Sequence, residues 1–327
     1  MADGALADRI AAIRDVPNLD ALYAQTDQLG IKPGWLGITQ EATGTPKAQS
    51  AYMPAHWRYD LCKAALDAAG RLIDVALAER RNLVMRNPIP NNPFATSRTL
   101  VAAYQMILPG EKAPSHRHVA HALRVIIDAK GAYSTVDGEK TPMETGDVVL
   151  TPGWCWHEHG HDGDAPAYWL DALDAPLTRV LETTFYEEHP DRFAQNVRAV
   201  TTSPYRFTRD DIARRLDRAT ADNEGFHGPR ITLDAPTMPT MLLTMERIEA
   251  GASTRRQRSS TNTIFCCVEG GGESVIGDQT FVWQRGDTFV APCWTKFTHQ
   301  ATSDALLFAV SDEPLMRFAR DYRFEAD

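Results

Sequence analysis

Two stretches of this 327-residue chain repeat each other, and this repeat constrains the fold more than any other feature. The segment GDVVLTPGWCWHEH, residues 146–159, aligns with GDTFVAPCWTKFTH, residues 286–299, at an offset of 140. Four framework residues recur at the same offset: Gly131 and Gly271, Asp147 and Asp287, Pro152 and Pro292, and Trp154 and Trp294. Because the register holds over about thirty residues, we expect two copies of one structural unit.

Short apolar runs broken by proline and glycine fill both copies, which is typical of antiparallel strands joined by tight turns. We therefore predict a β barrel at residues 96–178 and another at 229–327. A linker, 179–228, should contain a helix that begins at Thr208. Residues 1–95 should form a helical N-terminal region. Its clearest signal is an apolar face at helical spacing, formed by Leu61, Ala65, Ala68, Leu72, Val75 and Ala76.

Composition limits the classes of partner. The net charge of −9 and the absence of a Lys/Arg run argue against a nucleic-acid partner, because phosphate binding needs a basic face. The five cysteines form no CxxC pair and suit reduced thiols. There is neither a signal-peptide pattern nor an apolar stretch long enough to cross a membrane. We expect a cytoplasmic protein with no membrane partner.

Three histidines of the first copy have the spacing of metal ligands. His116 and His118 alternate on a predicted strand, so both imidazoles should point into the barrel. His157 lies on a later strand that the barrel can fold back to face them. Three neutral imidazoles suit Fe(II), Zn, Ni or Cu and leave coordination positions open. A lone HxH pair is more often a surface or core feature, so the prediction depends on the joint spacing.

The residues around the three histidines resemble the two cupin motifs. The spacing runs from Gly110 to His116, from His118 to Gly131, and from Gly146 through Pro152 to His157. This resemblance implies a mainly β fold class, with two tandem cupin barrels of the double-stranded β-helix or jelly-roll type. Helices should occur in the N-terminal region and in the linker.

One position departs from the general cupin pattern. Near the place where many cupins carry a ligand glutamate, this chain has Arg124, and a cation cannot bind a metal. Arg124 can instead pair with a carboxylate, so an anionic substrate could supply the missing ligand oxygens itself. The alternative is a structural ion pair.

The second copy has lost all three candidate ligands. At the offset of 140, Arg256, Arg258 and Phe297 replace the three histidines. We therefore expect the C-terminal barrel to be metal-free and structural, packing on the first barrel or forming an oligomer interface. An anion site formed by Arg256 and Arg258 is the alternative.

Longer segments are similar to the bicupin gentisate 1,2-dioxygenases and the related salicylate and 1-hydroxy-2-naphthoate dioxygenases. These segments are PAHWRYD, AERRNLVMRNP, SHRHVAHALRVII, GAYSTVDGEKTPMETGDVVLTPGWCWHEHG, YWLDALDAPL and VSDEPLMRF. The resemblance covers most of the chain. It implies an Fe(II) enzyme that takes a small aromatic acid and O2, and cleaves the ring between the carboxyl-bearing and hydroxyl-bearing carbons. We also expect a homotetramer.

The resemblance also implies substrate-binding roles for several polar residues. Arg124 and one of Arg80 and Arg81 would grip the substrate carboxylate, while the other arginine would be a solvated cation at a helix end. Gln105 would line the pocket, or would be a hydrogen-bonded core amide.

Two further residues are implied to support the chemistry. His159 would touch substrate or oxygen, and its alternative is a histidine at the barrel rim. Asp171 would orient a metal ligand or Arg124, and its alternative is a structural ion pair.

Two residues depart from a plain gentisate enzyme. Asn82 stands where the family usually has a small apolar residue, and Val101 stands where an aromatic residue is commoner. We hypothesise that Val101 opens room beside the ring and that Asn82 bonds a ring substituent. A 5-substituted salicylate such as 5-nitrosalicylate is then a candidate substrate beside gentisate.

Two other functions are compatible with the residues. One is another metal-dependent cupin oxygenase or isomerase, which would not need Arg124. The other is a non-catalytic cupin that binds or senses a ligand, which would not need three histidines that the second copy has lost.

Overall fold

The computed structural model describes residues 2–36 and 48–327, which divide into two units, Met1–Gln49 and Ser50–Asp327. The N-terminal unit contains helices α1 (Ala2–Arg14) and α2 (Leu19–Gln28). Asn18 caps α2 by accepting a hydrogen bond from a backbone amide of its first turn. No helix in the described part of the chain is long and apolar enough to cross a bilayer.

Strands dominate the larger unit. Its first half contains β1 (Ala55–Trp57), α3 (Tyr59–Leu72), α4 (Val75–Ala78), β2 (Arg81–Val84), β3 (Val101–Ile107), β4 (Lys112–His118), β5 (Ala122–Asp128), β6 (Ala132–Val136), β7 (Glu139–Met143), β8 (Val148–Thr151), β9 (His157–His161), β10 (Ala167–Leu173) and α5 (Ala175–Val180). Next come β11 (Tyr186–Glu188), β12 (Arg198–Ala199), β13 (Arg206–Phe207) and α6 (Arg209–Leu216). The second half contains β14 (Arg230–Leu233), β15 (Leu242–Ile248), β16 (Gln257–Ser259), β17 (Thr263–Ile276), β18 (Gln279–Gln284), β19 (Thr288–Ala291), β20 (Phe297–Ser311), α7 (Glu313–Phe318) and β21 (Phe324–Ala326).

The strands form two barrels. In the first barrel one six-stranded sheet has the order β13-β8-β5-β10-β3-β2, and the other has the order β11-β4-β9-β6-β7-β12. The second barrel is a nine-stranded sheet built mainly on β1-β19-β17-β20-β15-β14. The predicted mainly β architecture of two tandem barrels, with N-terminal and linker helices, is confirmed.

The repeated Gly-Asp pair has the same task in both barrels. Asp147 accepts a hydrogen bond from the Arg209 amide at the start of α6. Asp287 accepts one from the Tyr59 amide at the start of α3. Both aspartates are buried, and each satisfies a first-turn amide that the helix itself leaves unpaired. The repeated Gly-Asp pair therefore anchors one helix on each barrel.

The glycine of each pair lets the helix approach closely. Gly146 and Gly286 both have φ near +90°, a region that favours glycine. A Cβ at Gly146 would lie 2.8 Å from the Arg209 side chain, and one at Gly286 would lie 2.4 Å from the Tyr59 ring. A side chain at either position would push the helix away from its barrel.

A second pair of aspartates links the barrels to each other. Asp174, which follows β10, accepts a hydrogen bond from the Thr240 hydroxyl of the second barrel. Asp312, which follows β20, accepts one from the Thr99 hydroxyl next to the first barrel. Because each half supplies the acceptor for a hydroxyl of the other, the two barrels support each other reciprocally.

The largest hydrophobic cluster lies between the barrels. It joins residues of β3, β5, β8 and β10 to residues of β15, β17, β19 and β20, among them Tyr104, Leu123, Val290 and Phe308. Smaller clusters fill the two barrel interiors, around Trp169 in the first and Trp283 in the second.

The predicted apolar face of the N-terminal helix is wrong. Leu61 and Leu72 are 68% and 83% exposed, whereas Tyr59 and Leu66 are buried. The buried face of α3 is fixed by the contact of Tyr59 with Gly286 and Asp287, which the apolar spacing could not reveal. The helix also ends at Leu72, so Val75 and Ala76 belong to the separate helix α4.

The segment between the barrels contains more than its predicted helix. Thr208 does begin that helix, because its hydroxyl accepts from the Asp211 amide. In addition β11, β12 and β13 pair with β4, β7 and β8 of the first barrel. The domain boundaries inferred from the sequence stay a prediction.

We predict that Asp287→Ala lowers the free energy of unfolding by about 2–4 kcal/mol, because it leaves buried amides without an acceptor. Urea denaturation measures the change. The first barrel should keep its metal content, since Asp287 lies in the other barrel. Asp278→Ala, in an exposed turn, is the control and should change stability by less than about 0.5 kcal/mol. Equal stability of the two variants would contradict the assigned role.

Candidate metal centre

Strands β4 and β9 bring the three predicted histidines together. His116 and His118 lie two residues apart on β4, and His116 pairs directly with His157 of β9. One potential ligand atom from each ring lies within 4.8 Å of the other two. The cluster therefore results from strand alternation and from the register between two neighbouring strands.

Backbone carbonyls determine the tautomers of two rings. His118 Nδ1 lies 2.8 Å from the Ala120 carbonyl, and His157 Nδ1 lies 3.1 Å from the Cys155 carbonyl. A carbonyl only accepts, so each Nδ1 carries the proton and each Nε2 keeps a free lone pair. His157 Nε2 is buried without a hydrogen-bond partner. These are the features of imidazoles that are ready to bind a metal.

The environment keeps the three imidazoles neutral. Burial, together with the positive charge of Arg80, lowers the pKa of His116 to about 2. Burial is also the main reason why the pKa of His118 falls to about 4 and that of His157 lies well below its usual range. Neutral rings can bind a divalent cation without first releasing a proton. The residues fit a metal ion.

Arg124 lies beside this cluster in a buried ion pair. Its strand β5 pairs with β10 so that Arg124 stands opposite Asp171, and Nε lies 3.3 Å from Oδ1. A guanidinium N–H also donates to the Thr151 hydroxyl at 2.6 Å. Trp169 Nε1 donates to both oxygens of Asp171. Asp171 is thus the ion-pair partner of Arg124, and burial raises the pKa of this carboxyl to about 6.

The structure distinguishes the two adjacent arginines. Arg81 is buried and donates to both carboxylate oxygens of Glu111, so it is not the solvated cation that the sequence suggested. Arg80 donates to the Pro114 carbonyl and lines a cavity of about 370 Å³ together with His116. Burial and the nearby charge of Arg124 lower the pKa of Arg80 to about 10. Arg80 is therefore the arginine of the pair that lies at the cluster.

Three other predicted residues lie on the same face of the sheet as Arg124 and Asp171. Gln105 of β3 is buried and pairs with Trp169, and Val101 follows the same alternation. Asn82 of the edge strand β2 stands opposite Gln105 and is exposed. The register therefore puts all three on the interior side of this sheet.

His159 is completely buried near the cluster. Its ring centroid lies 6.1 Å from that of His157 and 5.5 Å from that of Trp169. Neither ring nitrogen has a hydrogen-bond partner. Burial and the charge of Arg124 hold the pKa of His159 well below its usual value. It is a neutral imidazole with unused hydrogen-bonding capacity, and the alternative of a rim histidine is wrong.

Tyr186 is a residue at the cluster that the sequence analysis did not predict. This residue begins β11, which pairs with β4 so that Tyr186 stands opposite His118. Its ring centroid lies 5.1 Å from that of His116, and its hydroxyl oxygen lies 3.4 Å from His116 Nδ1. Tyr186 lies in the stretch predicted as a linker, where no periodic pattern predicts a strand.

The second barrel corresponds to the first with a one-residue shift in this region. His116 pairs with His157, whereas Gln257 pairs with Phe297, so Gln257 and Ser259 occupy the places of His116 and His118. The alignment of Arg256 and Arg258 with these histidines is wrong, because the offset here is 141. Within the described residues, the three-histidine cluster is the one group found that could hold a metal.

The alternative of an anion site at the two arginines is not supported. Arg258 forms an ion pair with Glu325 and lies 4.6 Å from the centroid of the Trp294 ring. Arg256 is about half exposed and faces Asp327. Both cations already have acidic partners on the outside of the barrel.

Comparisons with known proteins agree with this geometry. The cupin domain family matches residues 103–173. Gentisate 1,2 dioxygenase 1 of Aquipseudomonas alcaligenes is 34% identical, over 89% of this chain and 91% of that protein. The 5-aminosalicylate 1,2-dioxygenase of Comamonas sp is 32% identical, with 94% and 90% covered. Salicylate 1,2-dioxygenase of Pseudoaminobacter salicylatoxidans with gentisate has a TM-score of 0.87 at 27% identity, over 96% of this chain and 95% of that one.

We predict that His157→Ala loses most of the bound metal, because it removes one of three ligands from a set with no carboxylate in reserve. Elemental analysis of the purified protein measures the loss. His121→Gln is the control, since His121 lies in the same barrel but outside the cluster. Full metal content in His157→Ala would show that the third ligand is misassigned.

Proposed function

This chain belongs to the gentisate 1,2-dioxygenase family of aromatic ring-cleaving dioxygenases, and from this premise we propose that it uses Fe(II) to cleave a 2-hydroxybenzoate. The observation that carries the proposal is the cluster of three neutral imidazoles beside two arginines, the buried Arg124 and the partly exposed Arg80. Membership of this family sets aside the non-catalytic binding module.

A metal ion held by His116, His118 and His157 would supply open coordination positions for a chelating substrate and for O2. The described residues offer no carboxylate to this cluster. A 2-hydroxybenzoate carries adjacent carboxylate and hydroxyl groups, which are the oxygen ligands that the protein lacks. The ligand set thus favours a chelating aromatic acid over a neutral substrate.

The two arginines would bind the substrate carboxylate. Arg124 is held by Asp171 and by the Thr151 hydroxyl, so its guanidinium is oriented before substrate arrives. Arg80 lines the cavity beside His116. Each guanidinium carries several N–H donors that can bind a carboxylate through paired hydrogen bonds, which suits an anionic substrate.

His159 would hydrogen-bond the substrate or oxygen during the reaction. Both ring nitrogens of His159 are buried without a hydrogen-bond partner. A substrate hydroxyl near the ring would supply the partner that these nitrogens lack in the protein alone. Because its pKa is low, the ring stays neutral and can hold a proton on one nitrogen and accept one on the other. Gln105 is buried on β3 of the facing sheet and would contact the aromatic ring of the substrate.

Val101 and Asn82 would set the preference among substituted rings. Both lie on the interior side of the first sheet, Val101 buried and Asn82 exposed at its edge. A small Val101 leaves room beside the ring, and an exposed Asn82 amide can bond a polar substituent. We propose gentisate or a 5-substituted salicylate, such as 5-nitrosalicylate, as the substrate.

We also propose that the protein is cytoplasmic and forms a homotetramer. Size-exclusion chromatography with light scattering would test the oligomeric state.

We predict that the Fe(II)-loaded protein consumes O2 with 2-hydroxybenzoates but not with 3-hydroxybenzoate, whose hydroxyl cannot chelate together with the carboxylate. An oxygen electrode and product absorption spectra measure this across salicylate, gentisate, 5-nitrosalicylate and 1-hydroxy-2-naphthoate. One 5-substituted ring should exceed salicylate in kcat/KM by about tenfold or more. Equal efficiency would rule out the selective pocket, and no uptake with any member would rule out the proposed function.

The adjacent arginines provide a matched pair of variants. Arg80→Met should raise KM by about 30-fold, which corresponds to the loss of about 2 kcal/mol from a charged hydrogen bond, with little loss of stability. Arg81→Met should instead lower the free energy of unfolding by about 2–4 kcal/mol, because it removes the buried cation that pairs with Glu111, and KM should hardly change. Steady-state kinetics and urea denaturation separate the two effects. The reverse pattern would mean that Arg81 binds substrate.

A further inference from the structure

Strand β11 covers the ligand-bearing strand of the first barrel. In the sheet order β11-β4-β9, strand β4 would be an edge without it. Tyr186, Glu187 and Glu188 pair in register with His118, Arg117 and His116. Strand β4, which carries two of the three candidate ligands, therefore pairs with β9 on one side and with β11 on the other.

The three candidate ligands differ in what supports them. His118 and His157 each have a backbone carbonyl within hydrogen-bonding distance of Nδ1, at 2.8 and 3.1 Å. His116 Nδ1 has the Tyr186 hydroxyl instead, at 3.4 Å. We propose that Tyr186 is a positioning residue of the metal centre: its hydroxyl oxygen accepts a hydrogen bond from Nδ1–H of His116 and so keeps Nε2 of that ring free for the metal.

The inference follows from what a ligating imidazole requires. A ring that binds a metal through Nε2 carries its proton on Nδ1, and a partner for that proton fixes the ring orientation and raises ligand basicity. The hydroxyl oxygen of Tyr186 can accept a hydrogen bond from this N–H group. The N···O separation is at the long end for a hydrogen bond, so this support is softer than the two carbonyls. His116 is thus the ligand whose position depends on the edge strand β11, which comes from the segment between the two barrels.

Arg117 fastens this segment to the ligand strand. It lies between the two ligands on β4 but points outward, where its guanidinium carbon is 4.4 and 4.5 Å from the ring centroids of Trp154 and Trp156. The same guanidinium donates to the Glu187 carboxylate. Arg117 therefore holds Glu187, the residue next to Tyr186, on the face of β11 opposite to the Tyr186 side chain.

The inference rests on the metal centre of the proposed function but not on its substrate. Tyr186→Phe removes only the hydroxyl at a half-exposed position, so the fold should be retained, as circular dichroism can verify. We expect the variant to bind Co(II) about tenfold more weakly than the wild type in competition with a chromogenic chelator. We also expect its Co(II) absorption bands to shift, which a purely structural role would not cause.

Two controls accompany this test. Tyr133→Phe, on the outer side of the same barrel, should leave Co(II) affinity and spectrum unchanged. Glu187→Gln should weaken Co(II) binding by about two- to threefold, because it loosens the contact between Arg117 and β11. Wild-type affinity and spectrum in Tyr186→Phe would overturn the proposal. Inactivity toward every aromatic acid, with these Co(II) effects intact, would count against the proposed substrate alone.

Discussion

The pairing of β4 with β9 is the constraint on which the rest of the site depends. It puts His116 opposite His157, while strand alternation puts His118 on the same face. A shift of one residue would turn one imidazole set outward and leave no cluster, because neighbouring side chains of a strand face opposite sides. The carbonyl partners of His118 and His157 and the cations Arg80 and Arg124 only refine what this register has already assembled.

The two barrels separate framework from chemistry. Both keep a glycine at positive φ and a buried aspartate that fastens a helix, and both keep a serine opposite a buried histidine, Ser134 with His159 and Ser274 with His299. Only the first barrel keeps three ligands. In the second barrel the corresponding positions hold Gln257, Ser259 and Phe297, which line a cavity together with charged residues such as Arg230 and Glu246. The repeated glycines and aspartates thus report on folding, and the three ligands that the second barrel lacks report on the metal site.

The sequence predicted much of this because alternation and repeats are local patterns. The two barrels, the ligand triad and the ion pair between Arg124 and Asp171 all follow from spacing or from family motifs. The choice between Arg80 and Arg81 could not be predicted, since it depends on Glu111, thirty residues away.

Other features escaped for equally physical reasons. The alignment at an offset of 140 put Arg256 and Arg258 at the ligand positions, but the true offset in this strand is 141. The strand pairing puts both arginines on the outside of the barrel. The buried face of α3 depends on its seat against Gly286, and Tyr186 lies in a short edge strand with no periodicity. In each case the deciding contact joins residues that are distant in the sequence.

The proposed reaction requires that an anionic aromatic acid binds directly to a metal held by three histidines, beside two arginines. The most direct measurement is the electronic spectrum of the Fe(II)-loaded protein before and after anaerobic addition of a 2-hydroxybenzoate. We expect a new absorption band that saturates with substrate and is absent with 3-hydroxybenzoate. An unchanged spectrum at concentrations that support turnover would contradict direct chelation, and with it the central claim.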